Sequence, residues 1–233
     1  FGVEIEFNGV SRYQVQERID ADAFGRGWRV KSDFSVRGEG LELVSPPLSG
    51  EAGLDAVRQA CIVLRELGAR VDSSCGLHVH HEARDLGALG IARVARLWQR
   101  HSYLTQWLVA PSRRTNSYCP PLGESDVQTI ELRATQDDSV ARIDRYRDLN
   151  VSAFAAHGTV EMRSHQGTLN FRKIEAWIHL GQGFMDAAVE CRQVSATSLR
   201  GLLQAMVADE DAQAFLLGRG IQFGCPHVMP VAA

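Results

Sequence analysis

Residues 1–7, F-G-V-E-I-E-F, alternate apolar and acidic side chains almost without a break. Val3, Ile5 and Phe7 occupy one set of positions, and Glu4 and Glu6 the other. A period of two is the signature of a strand with one buried face. Such a strand cannot stand alone, because it must find neighbours and something to cover its apolar side. The pattern returns three times. In residues 40–45, Leu41 and Leu43 oppose Glu42. In residues 69–82, Leu77 and Val79 oppose His78 and His80, and His81 falls on the apolar side. In residues 158–165, Val160 and Met162 oppose Glu161, Arg163 and His165. If these strands share a sheet, one face packs on helices and the other gathers glutamates, histidines and an arginine.

The rest of the chain supplies the helices. Leu54, Val57, Cys61, Leu64 and Leu67 recur at helical spacing, and Gly68 suits the position after a helix end. Residues 86–110 form a longer helical pattern closed by Pro111, and residues 112–126 read as a loop. Further along we expect a strand at 129–134, a helix at 138–148 and a strand at 149–154. Amphipathic helices follow at 171–192 and 198–217, and an irregular tail from Gly218. T-I-E-L-R at 129–133 echoes T-V-E-M-R at 159–163, but five residues make no repeat. No Ser/Gly/Pro-rich linker interrupts the 233 residues. We therefore expect one α+β domain over 1–233, with 186–233 a helical C-terminal extension.

Composition narrows the function classes. A net charge of −3 gives no basic field to hold nucleic acid. No apolar run approaches the roughly 18 residues of a membrane helix, so no membrane partner is expected. Five scattered cysteines without a C-x-x-C pair argue for a reducing, cytoplasmic setting over a disulfide scaffold. The chain opens at Phe1 inside a strand-like run, so we expect native sequence ahead of it.

The acidic face suggests chemistry. Clustered carboxylates repel one another and are costly to desolvate, and a cation resolves that cost. Hard ions prefer oxygen, and Mg²⁺ (or Mn²⁺) is held by a few carboxylates plus substrate phosphates. Arg163 beside them would suit a phosphate. Singly, E-x-E or H-x-H fits a solvated face, and Glu161 with Arg163 fits a cross-strand ion pair. Four segments with the same alternation favour a site. Two other readings stay open. Cys75, His78, His80 and His81 crowd a short stretch and could hold zinc for a hydrolase, although no H-E-x-x-H is present. A non-catalytic nucleotide-binding module is the other.

Several segments together resemble the putative amidoligase family, of the glutamine synthetase and glutamate–cysteine ligase superfamily. They are F-G-V-E-I-E-F, E-L-V-S-P-P-L, C-G-L-H-V-H, R-x-x-N-S-Y-C, and G-T-V-E-M-R-S-H-Q-G-T-L-N with a following W-I. The match covers about residues 1–185. The resemblance implies an antiparallel sheet cupped around ATP and Mg²⁺, with helices on its outer face. It also implies a carboxylate–amine ligase working through an acyl phosphate. By motif, Glu4, Glu6, Glu42, His78 and Glu161 resemble metal ligands. Arg163 resembles a catalytic, phosphate-binding arginine, and His78 a histidine on metal or phosphate. His80 and His165 are expected to contact the nucleotide. D-F-S at 33–35 is similar to a D-G-S loop near the amine site, which implies a catalytic role for Asp33 although Phe34 replaces the glycine. Arg113, Asn116 and Tyr118 are expected to hold a substrate carboxylate. The resemblance identifies neither substrate and carries over no oligomeric state.

Overall fold

The computed structural model describes residues 1–229. In chain order it contains β1 (Gly2–Phe7), α1 (Arg12–Ala21), β2 (Arg29–Ser32), β3 (Leu41–Val44), α2 (Gly50–Glu66) and β4 (Gly76–Glu82). There follow α3 (Gly87–Thr105), α4 (Pro111–Arg114), α5 (Glu124–Gln136), β5 (Leu149–Asn150), α6 (Ala153–His157) and β6 (Thr159–Gln166). The chain continues with α7 (Phe171–Val189), α8 (Leu199–Met206) and α9 (Glu210–Gln222). The class is α+β, as expected. The strands form a six-stranded sheet in the order β2-β3-β1-β4-β6-β5. β3 runs antiparallel to both β1 and β2, and β5 to β6. The chain divides into two compact units: residues 1–79 with 165–175, and residues 80–164 with those from Ala176 onward.

In the first unit the alternation holds. Val3, Ile5, Phe7, Leu41 and Leu43 are buried, as are Leu54, Val57, Cys61 and Leu64 on the inner stripe of α2. Gly68 follows that helix with φ +85°, the left-handed conformation the sequence suggested. The sequence reading assigned neither α1 nor β2. Helix α1 buries only Val15 and Ile19, and β2 only Val30. Its one strong local signal is the Ser11/Gln14 capping box, in which each side chain bonds the other's backbone N–H. Gly25 is required after it, because a Cβ there would lie 1.7 Å from the Ile19 carbonyl oxygen.

The second unit is built around α3. Trp98 meets Trp177 and Phe184 edge-on, with ring centroids 6.2 and 5.1 Å away. Here three expectations are corrected. Residues 129–134 are not a strand but lie inside α5. Val127, Ile130 and Ala134 form its buried stripe, acidic Glu124 and Asp126 occupy its first turn, and Arg133 pairs with Asp137 one turn on. T-I-E-L-R satisfies both periods, and the helical N-terminus decides between them. Residues 138–148 are not helical. Asp138 sits at φ +47°, and Asp144 accepts a bond from the Tyr146 N–H in a local turn that competes with helix. The strand expected at 149–154 stops at Asn150 and gives way to α6.

The helix expected at 198–217 is two, α8 and α9, each with its own capping side chain, Ser198 and Asp209. Helix runs on to Gln222, past the point where an irregular tail was expected, and residues 230–233 of that tail lie outside the described residues. Among the described residues no helix is long and apolar enough to cross a membrane. All five cysteines are free thiols, and only Cys191 is exposed.

Candidate active site

The first unit carries the acidic cluster. Register places Glu6 of β1 directly opposite Glu42 of β3, and Glu42 opposite Lys31 of β2. Directly opposed residues share a face, so the strand pairing assumed from sequence is present here. His78 on β4 stands between two of the carboxylates, with Nδ1 3.0 Å from Glu4 Oε2 and Nε2 3.3 Å from Glu6 Oε1. A neutral imidazole has one N–H and can satisfy only one of them. Glu6 also accepts the Gly76 N–H at 2.5 Å. Glu6 is only 4% exposed and His78 6%, which removes the solvated-face reading of E-x-E here. Burial pushes the Glu42 carboxyl above its ordinary range and the charge of Glu4 adds to this, while Lys31, 3.3 Å away, and His78 oppose it. Lys31 and His78 thus both lie among three carboxylates.

Asp33 lies in a tight loop after β2. Its Oδ1 accepts bonds from the Ser35 N–H and hydroxyl, both at 2.7 Å, an Asx-type turn. Phe34 is fully exposed, and its φ is not in the left-handed region. The loop therefore needs no glycine there, and the departure from D-G-S costs no backbone strain. His165, also in this unit, is buried, and its ring nitrogens face the carbonyl and side-chain amide of Gln166.

The second unit carries a smaller cluster around Glu161. Asn150 is the cross-strand partner of Glu161 and donates from Nδ2 to Glu161 Oε2 at 2.7 Å. Arg163 pairs with the other oxygen, Oε1. His80 places Nε2 3.9 Å from Oε1, while its Nδ1 meets the Thr159 hydroxyl at 2.9 Å and its ring meets His157 edge-on. Two buried polar atoms, Asn150 Oδ1 and Arg163 Nε, have no hydrogen-bond partner among the described residues. The Arg163 guanidinium lies 5.9 Å from the centre of the Tyr146 ring, which meets Tyr118 edge-on. Sequence reasoning passed over Tyr146, Thr159 and His157, and marked Asn150 only as a match to a family position without an assigned role.

The loop residues differ in what they have to offer. Arg113 is buried and donates to the carbonyls of Arg163 and Ser164, so its guanidinium braces the β6 backbone. Asn116 Oδ1 accepts the Tyr118 N–H at 2.8 Å. Tyr118 itself is 51% exposed and available.

The four residues of the zinc reading do not converge. His81 is buried on the opposite side of β4 from His78 and His80, with Nδ1 3.4 Å from Gln182 Oε1 of α7. Burial lowers its pKa to about 3, so it stays neutral. Cys75 is buried, and burial raises its thiol away from the thiolate that zinc prefers.

The family model described as Putative amidoligase enzyme matches residues 1–185. No curated protein matches the chain.

Proposed function

The chain belongs to the putative amidoligase family, whose name implies an enzyme that forms amide bonds, and from that premise we propose an ATP-dependent carboxylate–amine ligase. The observation that carries this reading is the buried acidic cluster of the first unit, where Glu6 faces Glu42 across the strand pair and burial with the charge of Glu4 pushes the Glu42 carboxyl up. Buried like charges persist when a cation joins them. The donor set is oxygen-rich with one imidazole, which fits Mg²⁺ or Mn²⁺ better than zinc. Glu4, Glu6, Glu42, His78 and Glu161 are the residues we propose to hold the metal ions. When bound, these ions would neutralise both the carboxylates and the triphosphate of ATP.

The chain's own residues then have separate tasks. Arg163 offers a planar guanidinium to phosphate oxygens, and Glu161 and Tyr146 hold it in place. His80 is proposed as a nucleotide contact, oriented by Thr159. His165 is proposed in the same role. Asp33 is proposed to act at the amine. Arg113, through its grip on the β6 backbone, and Asn116 shape the loop that presents Tyr118 to the substrate carboxylate. In the proposed reaction the substrate carboxylate attacks the γ-phosphorus and ADP leaves. The amine then attacks the acyl carbon and phosphate leaves. Catalysis of such a transfer rests mainly on positioning and electrostatic stabilisation.

The test is ADP release with a pool of candidate carboxylates and amines, with hydroxylamine added to trap acyl phosphate as a hydroxamate. The reading expects ADP release that depends on a divalent ion and a carboxylate, and a hydroxamate. ATP hydrolysis with no hydroxamate from any carboxylate would overturn the acyl-phosphate step. Tight stoichiometric zinc with Mg²⁺-independent ATP binding would overturn the ligase.

A further inference from the structure

A second site lies within the second unit and shares no residue with the proposed ligase machinery. Helix α3 presents Arg93, Arg96 and Arg100 toward a cavity of about 380 Å³, closed on its far side by the end of α7 and the turn after it. Arg96 is fully engaged: its guanidinium grips Glu131 through two nitrogens at 2.8 and 2.6 Å and Glu124 through the third. Arg93 and Arg100 are exposed and make no ion pair or hydrogen bond with any described residue. They are seven residues apart, so their attachment points lie about 10 Å apart along the helix. Leu97 of α3 and Ala187 of α7 give the lining its apolar part, beside the Arg96–Glu131 pair. Cys191, the one exposed thiol, forms part of the rim.

Two uncommitted cations about two helical turns apart on one cavity wall, with apolar side chains and a neutralised ion pair in the same lining, match a particular ligand chemistry. We propose that this cavity binds an elongated small molecule with an anionic group, carboxylate or phosphate, at each end and an apolar body between. Arg93 holds one end and Arg100 the other. The volume is within the usual range for small-molecule sites, roughly 300–1,000 Å³. Arginine is suited to either anion because it binds both in a bidentate manner. Arg96, neutralised by its two glutamates, stiffens the wall between them.

Cys191 supplies a built-in reporter. The probes are a ladder of α,ω-dicarboxylates of increasing length, each matched with its monocarboxylate. The readout is protection of native Cys191 from iodoacetamide, a neutral reagent, followed by intact mass. Isothermal titration with the same ladder is the second readout and does not depend on the thiol. We expect protection and binding to rise with chain length and peak where the carboxylates span about 10 Å. Matched monocarboxylates should bind at least tenfold more weakly. Arg93→Gln and Arg100→Gln, both surface substitutions, should each abolish the length preference while the melting temperature stays put. No binding of any dicarboxylate at millimolar concentration and modest ionic strength would overturn the proposal. So would binding that is unchanged in the double variant.

Discussion

The glutamates of the two units are treated differently. Glu161, in the second unit, is buried but accompanied: Arg163 holds one oxygen and the Asn150 amide the other. In the first unit, Glu4, Glu6 and Glu42 gather around His78 and Lys31, and burial, with the charge of Glu4 adding to it, pushes the Glu42 carboxyl upward. A compensated buried carboxylate is part of the fold, and removing its partners costs stability. A cluster of buried like charges is a burden on the fold, and removing one of them relieves it. The same residue type is thus expected to answer mutation with opposite signs in the two units.

The largest effect should come from Arg163. Arg163→Lys keeps a cation beside Glu161, so the fold should survive, but it loses the planar fork. Turnover should fall by roughly 10²-fold, comparable to losing one oxyanion-hole donor, with ATP affinity little changed. Steady-state ADP release alongside nucleotide titration checks both halves.

Next comes Asn150→Ala, which takes the amide from buried Glu161. Losing that buried bond to a charged group should cost about 1–3 kcal/mol of unfolding free energy in urea melts. A value near zero would mean that Glu161 is not held as described, and the contrast between units would fade.

Asp148 sharpens the comparison from within the second unit. It accepts bonds from the Trp98 indole and from the N–H groups of Leu122 and Leu149, all neutral donors. Burial pushes its carboxyl up to about 6, against the opposing pull of these three hydrogen bonds and, last, of Arg147. The native state therefore keeps this proton to higher pH than the unfolded chain, whose aspartates titrate near 4. The stability that protonation confers is present in acid and is lost as pH rises through about 6. In Asp148→Asn that slope between pH 4 and 6 should vanish, although the variant is less stable, because its amide cannot accept from both Trp98 and the backbone. An unchanged slope would assign the titration elsewhere.

The smallest effect is the control, Arg133→Lys. Arg133 is exposed on α5, and its side chain pairs with Asp137. Stability should change by less than about 0.5 kcal/mol and turnover not at all.

The acid-bearing strands were legible because a period of two survives in short segments, as the alternation around Glu4/Glu6, Glu42, His78 and Glu161 shows. Gly68 as a helix end was legible for a local reason, its left-handed backbone. What failed was decided by tertiary or capping context. Arg133 looked like a twin of Arg163, yet it sits on a helix because Glu131 and Glu124 reach Arg96 on α3 and acidic residues occupy the first turn. Tyr146 beside Arg163 was invisible, because the stretch 138–148 reads as helix and folds as a chain of turns. The grip of Arg113 on the β6 backbone was not legible either, since no sequence pattern separates a buried guanidinium from an exposed one.

The measurement that bears most directly on the acidic face is the melting temperature of wild type and Glu42→Gln at neutral pH, each with and without Mg²⁺ plus a non-hydrolysable ATP analogue. Removing a carboxylate that burial and Glu4 already disfavour should leave the apo variant as stable as wild type or more so. Wild type should gain stability from the metal–nucleotide pair by mass action on the native state, and Glu42→Gln should lose most of that gain. An apo variant that is clearly destabilised, or one that keeps the full ligand-induced shift, would contradict the assignment of this cluster to a cation.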